Sequence, residues 1–306
     1  MIDLQALRSL TLAAPRADMP ESLSAASGIA VAGEFLYVIA DDEFHLGVFA
    51  LAGQRDGDWV RLFPGDLPDD AALRKARKPD LEALVRLPPF AGYPAGALLA
   101  LASGSKPNRH TGALLGLDAT GALHGEPCTV ALSALYAPLL LRFPALNIEG
   151  AVVRGHELVL LQRASGGHPE NALIGFPLAD VLQGLGAVDG PQLPALPARI
   201  SIVELGSIDG VPLGFTDASV LSDGRLVFSA VAEHVDDTYH DGPCIGAAIG
   251  IVGLDDQIDR LERLRPVRKI EGIDARQDGA RIRLLLATDA DDRSAPSTLF
   301  GTSLAL

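Results

Sequence analysis

The chain has 306 residues, 48% hydrophobic and 21% charged, with a formal net charge of −14. That composition supports a sizeable core and excludes gross disorder. The acidity argues against nucleic acid, whose phosphates call for clustered Lys and Arg; it suits a cation-binding site, or solubility alone. Thirty-two glycines and 21 prolines are spread through the chain, as many tight turns require. Cys128 and Cys244 stand far apart and are expected as reduced thiols of a reducing cytosol. Met1–Leu10 has no basic region followed by a long apolar run, so no signal peptide is expected. No apolar stretch approaches the ~18 residues of a membrane span, Leu135–Phe143 being interrupted by Pro138 and Arg142. A cytoplasmic protein without membrane or nucleic-acid partners is the expectation, with the oligomeric state left open.

In chain order the predicted elements repeat, which is the first thing to test in a chain of this kind. Leu7–Leu12 alternates and reads as a strand with no hairpin partner beside it. Ser27–Ala32, Glu34–Ala40, His45–Leu51 and Trp59–Phe63 are four strands joined by short turns, the pattern of one propeller blade. Pro64–Lys78 is a polar linker with helical character over Asp69–Arg77. A second unit runs Leu81–Leu87, Ala97–Ala102, Ala113–Leu117 and Thr129–Leu132. The third opens at Asn147-Ile-Glu-Gly and continues through Leu158–Leu161, Ala172–Phe176 and Arg199–Leu205, with a short helix over Leu178–Leu185. The fourth has Thr216–Leu221, Leu226–Ala232, Ala247–Val252 and Pro266–Lys269; the fifth has Glu271–Ala275, Ile282–Ala287 and Leu299–Leu306.

The fifth unit has three strands and Leu7–Leu12 is spare, so the predicted fold is an all-β, five-bladed propeller in one domain, closed by the N-terminal strand. The blades are about 27–63, 81–132, 147–205, 216–269 and 271–306 plus 7–12. An irregular two-sheet sandwich would use similar strands, because short apolar runs are weakly discriminating.

That geometry gathers distant residues. Each inner strand of a propeller starts at one face beside the central channel, and the aligned position there reads Ser27, Glu82, Glu149, Asp217, Glu271. The loops after the second strands open on the same face and hold Asp41, Asp42 and Glu43; Ser103, Ser105, Lys106, Asn108 and Arg109; Arg163 and His168; Glu233, His234 and Asp236; Asp289, Asp291, Asp292 and Arg293. Carboxylates so close cannot all stay ionised without compensation. A divalent cation on Glu82, Glu149, Asp217 and Glu271 is one solution, and an all-oxygen set favours Ca²⁺, then Mg²⁺ or Mn²⁺, over Zn²⁺. Basic partners are a second: Lys106, Arg109, Arg163, Lys269 and Arg293. A raised pKa is the third, and the acids can also serve only to tie blades together. A small, anionic ligand held by Lys106, Arg109, Arg163 and His234 completes the substrate-binding expectation.

The Glu-Gly-Ala and Glu-Gly-Ile heads at Glu149-Gly150-Ala151 and Glu271-Gly272-Ile273 resemble those of bacterial propellers grouped as esterase-like phytases and of related uncharacterised propeller families. The funnel is also similar to that of gluconolactonase-like propellers. The resemblance implies a cation-lined channel and, in some members, phosphoester or ester hydrolysis. The chain departs from it in having five units and in Ser27, where an acid would stand. Two functions remain: a metal-dependent hydrolase working at the mouth, and a non-catalytic propeller binding a small molecule or protein there. Ser103-Gly-Ser-Lys106 matches S-x-x-K without its companion motifs, and no G-x-S-x-G, H-E-x-x-H or P-loop is present.

Overall fold

The computed structural model describes residues 1–13, 21–164, 169–233, 244–290 and 292–305. Two short strands come first, β1 (Ile2–Asp3) and β2 (Gln5–Ser9). Blade 1 is β3 (Ala26–Ala32), β4 (Phe35–Ala40), β5 (His45–Ala50) and β6 (Asp58–Arg61). Helix α1 (Ala71–Arg77) leads into blade 2: β7 (Leu81–Leu87), β8 (Ala97–Ala102), β9 (Thr111–Leu117) and β10 (Leu123–Ala131). Helix α2 (Ser133–Arg142) precedes blade 3, which is β11 (Ile148–Arg154), β12 (Glu157–Gln162), β13 (Asn171–Pro177) and, after α3 (Leu178–Leu185), β14 (Arg199–Val203). Blade 4 begins with the short β15 (Ser207–Ile208) and continues through β16 (Val211–Val220), β17 (Leu226–Glu233), β18 (Cys244–Val252) and β19 (Ile258–Arg265). Blade 5 is β20 (Ile270–Asp278), β21 (Arg281–Thr288) and β22 (Thr298–Ala305), completed by β2.

The five inner strands β3, β7, β11, β16 and β20 touch in that order, and β20 returns to β3, so the ring is closed. Alternation drives the packing. Val152, Val159, Leu161 and Leu173 of blade 3 share a buried cluster with Phe215, Leu226 and Phe228 of blade 4. Each inner residue is covered on both sides, which is why β8 (Ala-Leu-Leu-Ala-Leu-Ala) is buried throughout.

The ring-closing strand of blade 5 is Gln5–Ser9 rather than Leu7–Leu12: Gln5 pairs with Gly301 and Ser9 with Thr298, antiparallel. The Leu10 amide still donates to the Ser297 carbonyl of blade 5, and the chain then passes to the neighbouring blade, where Leu12 bridges Gly57, the Ala13 amide donates to Gly57 and the Gly57 amide to Thr11. Ile2 and Asp3 add a parallel strand to β19. One N-terminal segment therefore straps blades 4, 5 and 1 together. The outer strand of blade 4 is also earlier than expected, Ile258–Arg265 instead of Pro266–Lys269. Its sequence alternates Ile258, Arg260, Glu262 and Leu264 on the more buried side with Asp259, Leu261, Arg263 and Arg265 outside, and so many charges conceal a strand that has one open face. The described part of the chain has both cysteines free, and no helix long and apolar enough to cross a membrane.

A mouth built on five bulges

Every inner strand carries a register break, near the start of β3, β7, β11 and β20 and midway along the longer β16. Between Ala26 and Gly28, Leu81 and Ala83, Ile148 and Gly150, Phe215 and Asp217, and Ile270 and Gly272, one residue is left without a partner on the second strand. A bulge of this kind re-aims the side chain of its extra residue. The extra residues are Ser27, Glu82, Glu149, Thr216 and Glu271. Blade 4 thus contributes Thr216, not Asp217, to the equivalent ring position. Asp217 stands where the other blades have Gly28, Ala83, Gly150 and Gly272, small because neighbouring inner strands nearly touch: a Cβ on Gly150 would lie 3.1 Å from the Cα of Asp217. The carboxylate of Asp217 accepts the amides of Ala218 at 2.8 Å and Ile273 at 2.9 Å, tying blade 4 to blade 5. It does not line the central cavity.

That cavity, about 440 Å³, is framed by the bulge residues Ser27, Glu82, Glu149 and Glu271 and by residues one step further toward the mouth, Asp80, Asn147 and Lys269. The residues that follow the second strands, Asp41, Arg163 and Asp289, close its wall, together with Glu233 at the end of β17. A wider groove of about 920 Å³ lies at the seam where β1 and β2 meet β19 and β22. It is open and is a consequence of the strapped closure.

Two linked charge networks fill the mouth. Around blades 3 to 5, Arg163 bonds Glu149 at 3.3 Å, bonds Glu233 more closely, and lies 4.0 Å from Glu271. Lys269 reaches Asp289 at 3.0 Å and Glu233 and Glu271 at 3.6 Å each. Arg163 can cross the face of blade 4 because Gly214 is bare there: a Cβ on Gly214 would meet Arg163 Cγ at 2.8 Å. Around blades 1 and 2, Lys78 joins Asp41 and, at 2.9 Å, Asp80, while Arg109 Nη1 reaches Asp80 at 2.8 Å and Ser105 Oγ at 2.7 Å. Ser103 donates its hydroxyl to Asp80. Asp80 itself sits at φ 58°, left-handed backbone that a short Asp tolerates. Asp42 and Glu43 turn away to Arg74 on α1, with Arg293 3.5 Å from Asp42.

Electrostatically the acids are under strain. Burial raises the carboxyl of Asp41 to about 7 against the pull of Lys78. Burial, then Glu149, Asp80 and Asp41, hold Glu82 well above the usual range. Glu271 is likewise well above it through burial, although Lys269 and Arg163 oppose the shift. Burial raises Glu149 too, with Arg163 pulling the other way. Glu271 Oε2, Glu233 Oε1 and Arg109 Nε are buried without a hydrogen-bond partner, and among the described residues no ion pair or hydrogen bond reaches the carboxylate of Glu82.

Of the residues singled out from sequence, Glu82, Glu149 and Glu271 line the cavity with Lys106, Arg109 and Arg163. His234 lies outside the described residues, as do His168, Asp236 and Asp291. Asp80 and Lys78 were missed. Asp80 lies two positions before the bulge residue Glu82, as Lys269 does before Glu271, and that recurring offset was the available signal. The oxygens of Asp41, Asp80 and Glu82 lie within 4.8 Å of one another, a set that fits a metal ion by ligand type. Two of the three are already bonded to Lys78.

Among solved structures the chain is similar to Myxococcus xanthus glutaminyl cyclase, at 10% identity over 100% of this chain and 98% of that one, with a TM-score of 0.51. It is also similar to Penicillium chrysogenum alpha-L-arabinanase, 8% identical over 98% of each chain with a TM-score of 0.48. Against Kuenenia stuttgartiensis hydrazine synthase the identity is 10% and the TM-score 0.38, over 90% of this chain and 59% of that one. At such identities the likeness concerns the fold alone. No curated protein matches the chain. Residues 22–304 match the model of DUF6929, a family of unknown function, and the chain belongs to that family.

Proposed function

We propose that the mouth binds a small polar ligand that brings positive charge with it. The observation that carries this reading is the mismatch around blades 3 to 5. There Glu149, Glu233, Glu271 and Asp289 line the cavity, with Arg163 and Lys269 the bases that balance them among the described residues. Glu82 adds a further carboxylate without a bonded partner among the described residues. A cationic group entering this space gains acceptors already in place and relieves carboxylates that burial penalises. Recognition is favoured over catalysis by the same residues. Among the described residues the mouth holds no nucleophile activated by a base, because the Ser103 hydroxyl is spent on Asp80, which is itself engaged by Lys78 and Arg109.

A second reading rests on one specific observation, the proximity of Asp41, Asp80 and Glu82. A divalent cation, Ca²⁺ first and Mg²⁺ or Mn²⁺ next, would be held by these three carboxylates once the Lys78 ammonium had left Asp41 and Asp80. Such an ion supplies Lewis acidity, and the phosphoester or ester hydrolysis implied by the phytase-like resemblance belongs to this reading. Lys106 and Arg109 would then face an anionic substrate.

Thermal melting separates the two. Binding to the native state adds RT ln(1 + [L]/Kd), about 2.7 kcal/mol at one hundred times Kd. Small amines and amino acids should raise the melting temperature while CaCl2 leaves it flat. A rise with CaCl2 that Glu82→Gln abolishes supports the metal reading instead, and no response to either class contradicts both.

A further inference from the structure

The cavity is electrically divided. From blades 1 and 2 and the linker between them it is lined by four bases, Lys75, Lys78, Lys106 and Arg109, against Asp41, Asp80 and Glu82. From blades 3 to 5 it is lined by four acids against two bases. Each half also holds buried polar atoms that no described residue bonds. In the basic half it is Arg109 Nε, on a residue 8% exposed; in the acidic half they are Glu233 Oε1 and Glu271 Oε2, the latter on a residue 5% exposed. The ring order places blade 2 between blades 1 and 3, and blade 5 between blades 4 and 1. Arg109 and Glu271 therefore belong to non-adjacent blades and line the same cavity.

We infer that the ligand is a zwitterion of amino-acid size, its carboxylate toward Arg109 and its ammonium toward Glu271 and Glu149. The inference rests on the reading that the mouth takes a small polar ligand. Arg109 is prepared for it: Asp80 and Ser105 fix Nη1, and no described residue bonds the Nε edge. A guanidinium pinned on one side presents its other edge as a planar fork for a carboxylate. An ammonium has three donors and no acceptor, and Glu271 Oε2 is an acceptor with no donor among the described residues. A simple amine would leave the Arg109 edge buried and unbonded, and a simple acid would add charge of the sign already in excess; a zwitterion answers both. A volume of about 440 Å³ is of the size small-ligand sites use.

The full chain is tested by calorimetry and thermal melting against the twenty standard amino acids, each hit being repeated as its amide and its N-acetyl derivative. A hit should lose about tenfold or more in affinity in each blocked form, the loss that one charged hydrogen bond implies. Arg109→Gln should erase the preference for the free acid over the amide and keep that for the free amine. Glu271→Gln should do the converse, and the melting curves of both variants report whether they fold. Equal binding of the blocked and free forms overturns the inference. Binding of simple amines without any amino acid overturns the zwitterion and leaves the cationic-ligand reading standing. Stabilisation by CaCl2 alone overturns both.

Discussion

The two faces of the ring both bury arginine, and they treat it differently. On the face opposite the mouth, Arg154 at the end of β11 gives Nε to the Gly224 carbonyl at 2.7 Å and Nη2 to the Gly253 carbonyl at 2.6 Å. Its Nη1 reaches Asp256 at 2.6 Å; Arg199 takes the other oxygen of Asp256 and bonds Glu157 at 2.8 Å. Two bases meet two acids there, and no side-chain atom of the four is left buried without a partner. At the mouth Arg163 serves three glutamates, and two of them keep a buried oxygen unbonded. The same scaffold can seat a buried arginine in a balanced, saturated network. The imbalance at the mouth is therefore not imposed by the scaffold, and it is the reason to look for a ligand there.

Opening the ring should have the largest effect, because it costs both faces together. Deleting residues 1–9 removes β2 from the edge of β22 and β1 from β19. The melting temperature should fall by roughly 10 °C or more, several kcal/mol at a few degrees each, with β22 left as an exposed edge. An unchanged melting curve would remove the strap from the account.

Next comes the arginine pair itself. Arg154→Ala leaves Asp256 with Arg199 alone and the Gly224 and Gly253 carbonyls without their donor, and should cost about 3–5 kcal/mol in urea unfolding. Arg163→Ala should cost a similar amount at high pH. Its cost should shrink as pH falls, because Glu149 and Glu271, whose carboxyls are already raised by burial, can take up protons in place of the lost guanidinium. A loss that does not change with pH at Arg163 would equate the two faces.

The wild-type pH profile follows from the same groups. Burial raises Glu43 to about 7 and Asp274 to about 6, and holds Glu82 and Glu271 well above the ordinary range. The folded chain then binds more protons than the unfolded one between the ordinary carboxylate pKa and these raised values. Stability is present below that window and is lost as pH rises through it toward about 7. Melting should therefore come at a lower temperature near pH 8 than near pH 5, and a protein more stable near pH 8 contradicts the shifts.

Gly214→Ala should have a smaller effect, confined to the mouth. The added methyl would stand 2.8 Å from Arg163 Cγ and 3.0 Å from Nε, so the arginine must shift. A loss of about 1–3 kcal/mol is expected, with any mouth ligand weakened in parallel. Unaltered ligand binding would show that Arg163 can move without consequence.

Much of this architecture is legible in the sequence and some of it is not, for identifiable reasons. Five repeats of an apolar inner strand and its hairpin partner reveal the blades, and α3 over Leu178–Leu185 is expected in the long excursion Pro177–Pro197. Helix α2 is hidden because Pro138 sits inside it. At the mouth, Glu82, Glu149 and Glu271 are found from their common place at the strand heads. Asp217 misleads because an acid attracts attention, whereas the pattern that locates a bulge is an apolar residue, the extra residue and then a small one. In Phe215-Thr216-Asp217 the apolar Phe215 marks Thr216 as the extra residue, but Asp217 replaces the small one and hides the bulge. Lys78 could not be placed from sequence, since it arrives from an inter-blade linker and only the tertiary fold sets it against Asp41 and Asp80.

The central claim is that the mouth carries acid beyond what the fold requires. Matched acid-to-amide variants on the two faces test it most directly: Glu82→Gln and Asp256→Asn, melted without ligand at about pH 8. With the excess at the mouth, Glu82→Gln should hold or raise the melting temperature by a few degrees, since it removes a partly buried charge that no described residue bonds. Asp256→Asn should lower it, since two arginines lose their shared carboxylate. If Glu82→Gln falls as far as Asp256→Asn, the mouth carboxylates are structural and the ligand account fails.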